Sequence, residues 1–169
     1  MPEPREHAQS RGWIESILRR IPGFKGYLEK EYRRDSDALQ RGWLADRLLR
    51  SKPALDAYGR TLVDAKQLDG LAQLDRFKSR LDKNISRLRG AMQGYSGFFD
   101  LVQVDETLLE RIYQYDVKTM DAVDALAAAI EKLATATAAT PTTLPALNDQ
   151  LGQVEQALDH RQDILKGLE

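Results

Sequence analysis

Any chemistry in this 169-residue chain has to be done without cysteine and with only two histidines. A thiolate nucleophile, a disulfide scaffold and a Cys-based metal site are excluded, and a His-rich zinc site goes with them. Carboxylate-bridged di-metal bundles need Glu-x-x-His pairs facing a core, and neither His7 nor His160 has a Glu three residues before it. His160, between Asp159 and Arg161, reads as an exposed helix residue. Asp35-x-Asp37 lacks the glycine and the closing glutamate of an EF-hand loop. The chain has no GxxxxGK, GxSxG or GxGxxG. Asp116, Asp121 and Asp124 have no adjacent nucleophile or base, so they are expected on a solvated helix face rather than as catalytic acids. The expectation is a protein that is not an enzyme and carries no cofactor and no metal.

Binding, rather than catalysis, is what the remaining residues suggest. Trp13, Ile14, Ile17, Leu18 and Ile21 fall at helical spacing, with Arg19 and Arg20 beside them and Lys30 and Arg34 further on. An apolar stripe flanked by cations suits either packing on a bundle or contact with an anionic membrane or a partner. Ile21-Pro22-Gly23-Phe24-Lys25-Gly26 is similar to the turn of helix-hairpin-helix DNA-binding modules, whose backbone N–H groups hold phosphate. Here, however, the glycines are three residues apart instead of two, and a KH-type loop would need strands. Tyr95, Phe98 and Phe99 lie in the Gly-rich segment 94–100, which suits either a plug for the end of a bundle or an aromatic contact site.

Charge divides the chain. Residues 1–90 hold 20 Lys/Arg and 13 Asp/Glu, a net of +7; residues 91–169 hold 5 and 13, a net of −8. Either the two halves neutralise each other within the fold, or the basic half faces an anionic lipid or nucleic acid.

These residues have to be positioned by helices, because no period-2 strand pattern occurs. Residues 1–10 read as a flexible polar tail. A short amphipathic helix runs to Pro22-Gly23. A second helix is predicted from about Phe24 to Arg50, with Phe24, Tyr27, Leu28, Leu39, Trp43, Leu44 and Leu48 inward, and with Glu29–Arg33 and Asp46–Arg50 as i,i+4 pairs. A third is predicted from Pro53, which suits a first turn, to Gln67, with Asp69-Gly70 as a break. Leu71, Leu74, Lys78, Leu81, Ile85, Leu88 and Met92 make a heptad-like run with a polar interruption at Lys78. Asp105 is the predicted N-cap of a helix carrying Leu108, Ile112, Tyr115, Thr119, Ala122, Leu126, Ala129 and Leu133. Residues 134–145 read as a Thr/Ala-rich linker. The last helix, 146–169, carries Leu147, Leu151, Val154, Leu158 and Leu165, with Arg161 interrupting its seam.

All 12 aromatic residues lie between Trp13 and Tyr115, so residues 11–133 are expected to form the core and the last helix a thin cover or a partner-binding element. The fold class is all-α: a helical bundle built round a long antiparallel hairpin of helices 71–92 and 105–133. Gly23-Phe24-Lys25-Gly26-Tyr27, Glu31-Tyr32-Arg33-Arg34-Asp35-Ser36-Asp37 and the Gly-Tyr-Ser-Gly-Phe-Phe-Asp loop resemble a family of small all-helical bacterial proteins to which no activity attaches. The plan of an amphipathic helix followed by a helical hairpin is also similar to phage-shock-type membrane-stress proteins, although their hairpin is much longer. The resemblance implies a bacterial protein. The first eleven residues are polar, with no apolar signal region, and the expected location is the cytoplasm or the inner membrane face. The expected role is a non-catalytic interaction or scaffold protein with a protein partner or a second copy of itself. A nucleic-acid-binding bundle is the runner-up.

Overall fold

A computed structural model describes residues 4–90 and 105–166 of the chain, with side chains from residue 11 onward. The described residues form five helices and no strand: α1 Pro4–Arg20, α2 Lys30–Asp64, α3 Leu68–Gly90, α4 Glu106–Glu131 and α5 Thr143–Lys166. A short 3-10 turn, Lys132–Thr135, follows α4. α1 begins at Pro4, well before its apolar stripe and inside the segment read as a tail. No described helix is long and apolar enough to cross a membrane.

α2 is one helix of 35 residues where two were expected. Pro53 lies inside it and faces solvent. A proline there removes one N–H bond and crowds the carbonyl four residues back. The helix nevertheless continues, because the apolar face runs through the site: Leu44 and Leu48 before Pro53, and Leu55, Tyr58 and Leu62 after it, are all buried. Ser51 adds a local tie, its Oγ donating to Leu48 O at 2.7 Å. Phe24 and Tyr27 are buried as expected, but in the loop before α2, whereas Leu28 is 70% exposed and Leu39 lies at the surface.

α2 ends in a Schellman motif. Gln67 N donates to Leu62 O and Lys66 N to Val63 O, each at 2.9 Å, with Lys66 in the left-handed region at φ 57°. The reversal therefore precedes Asp69-Gly70, which lies within α3. Gly70 serves close packing instead: a Cβ there would lie 2.9 Å from Leu62 Cδ2.

α2 packs against both α3 and α4, α5 packs against α4 and α3, and α1 lies on α4. Among the described residues, the expected direct pairing of α3 with α4 is not one of the main packing contacts. These two helices are held chiefly through α2 on one side and α5 on the other. α5 buries Leu144, Leu147, Leu151, Val154, Leu158, Ile164 and Leu165, so it belongs to the core and is not a thin cover. In α3 the interruption at Lys78 disappears, because Phe77 takes the inward place and Lys78 reaches out to Asp56. In α4 the buried face passes through Leu109, Tyr113, Met120, Val123, Ala127 and Ile130. That face is rotated from the predicted stripe, of which Ile112, Thr119, Leu126 and, in the 3-10 turn, Leu133 are buried. Asp105 is the N-cap, accepting from Leu108 N at 2.7 Å.

Candidate functional site

The polar centre of the molecule is a buried cluster drawn from four segments. Asp116 of α4 has no exposed surface, which corrects its assignment to a solvated face. Its Oδ2 accepts from Tyr27 Oη at 2.5 Å and its Oδ1 from Arg161 Nε at 2.5 Å. Arg161 Nη2 also donates to Tyr27 Oη at 3.1 Å and stands 2.9 Å from Asp37 Oδ1. Asp37 Oδ2 accepts from Arg41 Nε at 2.8 Å, one helical turn along α2. Arg41 Nη1 donates to Leu88 O of α3 at 2.9 Å. Two arginines and two aspartates thus neutralise one another and tie α2, α4, α5 and the C-terminal end of α3 to the loop before α2.

Burial sets the proton affinities of this cluster. It pushes the Tyr27 hydroxyl well above its ordinary range, and the neighbouring Asp116 charge adds to the shift. Burial also raises Asp116, with the Arg161 charge and the bonds from Arg161 and Tyr27 opposing it. Desolvation would lower Arg161, but the Asp116 and Asp37 charges prevail and hold it well above its usual value. All three groups are buried and are bonded to one another.

The loop from Ile21 to Glu29 is bound into this cluster. Gly23 and Gly26 both have φ near +85° (84° and 87°). A Cβ at Gly26 would lie 2.7 Å from Tyr113 Oη, the atom to which Tyr27 N donates at 2.7 Å. Lys25 N donates to Ser36 Oγ at 3.2 Å and Phe24 N to Ile21 O at 3.3 Å. The amides of Phe24, Lys25 and Tyr27 are thus engaged inside the protein.

The other predicted contact residues are also partly absorbed. Ile17 and Ile21 are buried in the core, and Trp13 and Ile14 are packed against it. Arg19 is exposed, and Arg20 bridges to Asp121 at 2.7 Å. Arg34 and Lys30 are both exposed. Tyr95, Phe98 and Phe99 lie outside the described residues. His160 is half-buried, with Nε2 2.5 Å from Tyr115 Oη, so it is not the exposed residue expected. Arg33 donates to Tyr27 O at 2.7 Å, and Asp46 pairs across the bundle with Arg89 at 2.9 Å. No group of acidic and histidine residues suited to a metal ion occurs among the described residues.

Part of the charge asymmetry is met by pairing across the bundle. Arg20 meets Asp121, Arg47 meets Asp124 and Glu131, Arg80 meets Glu155, and Arg87 meets Asp159. Each joins a cation of the basic half to an acid of the other half.

Beside the buried cluster is a cavity of about 360 Å³, lined by Gln40, Arg41, Arg87, Leu88, Leu158 and Arg161 among others. Gln40 has no exposed surface, and neither its Oε1 nor its Nε2 has a hydrogen-bond partner. At the far end of the bundle, Val63 and Leu68 flank the α2–α3 turn, 57% and 76% exposed. Nearby, Leu55, Gly59, Val63, Leu71 and Leu74 line a shallow groove of about 420 Å³.

The buried cluster was partly foreshadowed by Arg161, a charge at an inward position of an apolar seam, and by Asp116, four residues after Ile112. What the sequence did not supply was the topology that brings residues 27, 37, 116 and 161 together. No family model, no curated protein and no solved structure matches the chain.

Proposed function

We propose that the chain is a non-catalytic helical interaction protein that self-associates through the α2–α3 end. The observation that carries this reading is the pair of exposed apolar side chains Val63 and Leu68 beside a groove in which Leu55, Val63, Leu71 and Leu74 are bordered by Asp56, Arg60, Asp64, Asp75 and Lys78. Large apolar side chains grouped on a surface mark contact sites more often than isolated ones do. A formal net charge of −1 leaves little mutual repulsion between copies. Against catalysis stands the closed, mutually neutralised state of Tyr27, Asp37, Asp116 and Arg161.

An anionic membrane would have to draw α1 away from α4, since Ile17 and Ile21 already pack inside. A nucleic acid would have to compete for arginines that are paired across the bundle. The test is sedimentation equilibrium of the wild-type chain and of Val63→Glu/Leu68→Glu. The expected result is a wild-type oligomer that falls to monomer in the double variant, with an unchanged helical circular dichroism spectrum. A monomeric wild type that co-sediments with anionic vesicles would favour the membrane reading. One that binds duplex DNA with steep salt dependence would favour the nucleic-acid reading.

A further inference from the structure

We infer that the cavity between α2, α3 and α5 is a binding site for a small carboxylate with an apolar body. This goes beyond the self-association reading and involves a different part of the molecule.

The walls of the cavity have a definite chemistry. Three arginines line it, Arg41, Arg87 and Arg161, and no carboxylate among the described residues does so. The aspartates that balance Arg41 and Arg161 hold them through other atoms. Arg41 uses Nε and Nη1 in its bonds to Asp37 and Leu88 O, and Arg161 uses Nε and Nη2. One terminal nitrogen of each, Arg41 Nη2 and Arg161 Nη1, stays out of those bonds. Arg87 meets Asp159 and Gln162 through Nη2 alone. Guanidinium groups held in place with N–H groups left over suit a planar carboxylate, which can take two parallel hydrogen bonds.

Gln40 is the second, independent observation. A fully buried amide with neither end bonded is costly to a fold, and such groups are rare in folded proteins. Gln40 lines this cavity and makes no hydrogen bond to the rest of the protein. Turned toward the cavity, its Nε2 would be a further donor for a carboxylate oxygen. Leu88 and Leu158 supply the apolar surface for the rest of the ligand. A volume of about 360 Å³ falls within the range of small-molecule sites.

The experiment uses the full chain and three probes: acetate, benzoate and the uncharged benzamide. Thermal unfolding and the side-chain amide resonances of Gln40 are followed during titration. The expected result is that benzoate raises Tm by about 3 °C or more at ten times its Kd and shifts the Gln40 resonances, while benzamide does neither. Gln40→Met should keep the fold, melt no lower than wild type and lose the benzoate shift. Arg87→Gln, at the solvent edge, keeps the protein testable if Gln40→Met does not fold; it should weaken benzoate about tenfold. The inference is overturned if neither carboxylate shifts Tm or the Gln40 resonances. It is equally overturned if benzamide matches benzoate, if Arg87→Gln binds benzoate as wild type does, or if Gln40 is found saturated by ordered water with benzoate excluded.

Discussion

Asp116 Oδ1 accepts from Arg161 Nε at 2.5 Å, joining α4 to α5 across 45 residues of sequence in the interior of the bundle. Replacing a buried ion pair by apolar residues is often neutral, whereas removing one partner strands the other and costs about 3–5 kcal/mol. Arg161→Met leaves Asp116 without its cation and Asp37 with Arg41 alone. It should lower the unfolding free energy by roughly that amount. Asp116→Leu combined with Arg161→Met should recover part of the loss, giving a coupling of about 2 kcal/mol. Urea unfolding of the two single variants and the double variant measures this. Additive losses would mean that the two side chains do not act as a pair.

Pro53 offers a test of the continuous α2. At the start of a helix a proline is harmless, but in an interior it costs up to about 3 kcal/mol relative to alanine. Pro53 is exposed, so its replacement disturbs no packing. Pro53→Ala should raise Tm by several degrees, read by thermal unfolding. An unchanged or lower Tm would restore the reading of separate helices ending near Arg50 and starting at Pro53.

Where the sequence was legible, one side chain decided the matter locally; where it was not, tertiary packing overrode the local signal. Asp105 needed only the free N–H groups that follow it, and it caps α4 as expected. Pro53 and Asp69-Gly70 are equally local signals, but the first is overruled by apolar burial on both sides of it. The second is explained by the Leu62 side chain, which requires the missing Cβ of Gly70. The 3/4 spacing located the helices yet misjudged their faces. In α3 it followed Lys78 where Phe77 points inward, and in α4 it ran along one margin of a wide buried face. Spacing also cannot tell which helices are neighbours, and α2 and α5 stand where direct pairing of α3 with α4 was expected. The cavity beside Gln40 is invisible in sequence for the same reason, since its walls come from three helices.

The Arg80–Glu155 pair makes part of the stability depend on acid pH. Glu155 accepts from Arg80 Nε at 3.0 Å, from Arg80 Nη2 at 2.5 Å and from Asn84 Nδ2 at 2.7 Å. The bond from Arg80 is the main reason its carboxyl lies below the usual range, with burial opposing it and Asn84 assisting. A carboxyl lowered on folding contributes stability above its unfolded value of about 4.3 and loses it as pH falls through the folded value. Glu155→Gln should therefore be less stable than wild type at neutral pH by up to about 1 kcal/mol, the upper end for a partly exposed pair. The gap should close in stronger acid. Urea midpoints of both proteins from neutral to acid pH give the result, and a gap independent of pH would mean that the charge of Glu155 is not what matters.

The fate of a chain ending at Thr142 decides how the C-terminal helix relates to the rest. Composition had set α5 apart, because it lacks aromatic residues and follows a Thr/Ala-rich segment. Its packing says otherwise. Leu147, Leu151, Val154, Ile164 and Leu165 are all buried, and Arg161 is the cation of the central cluster. Full burial of each large aliphatic side chain contributes roughly 1.5–3 kcal/mol, so the loss would approach the whole stability of an ordinary domain. Removal of α5 would also leave Asp116 without its ion-pair partner and uncover one side of α3 and α4. The truncated chain should therefore show reduced helicity, no cooperative melt and strong binding of a hydrophobic dye. A cooperative melt with native-like helicity would show instead that α1 to α4 form a self-sufficient core to which α5 is appended.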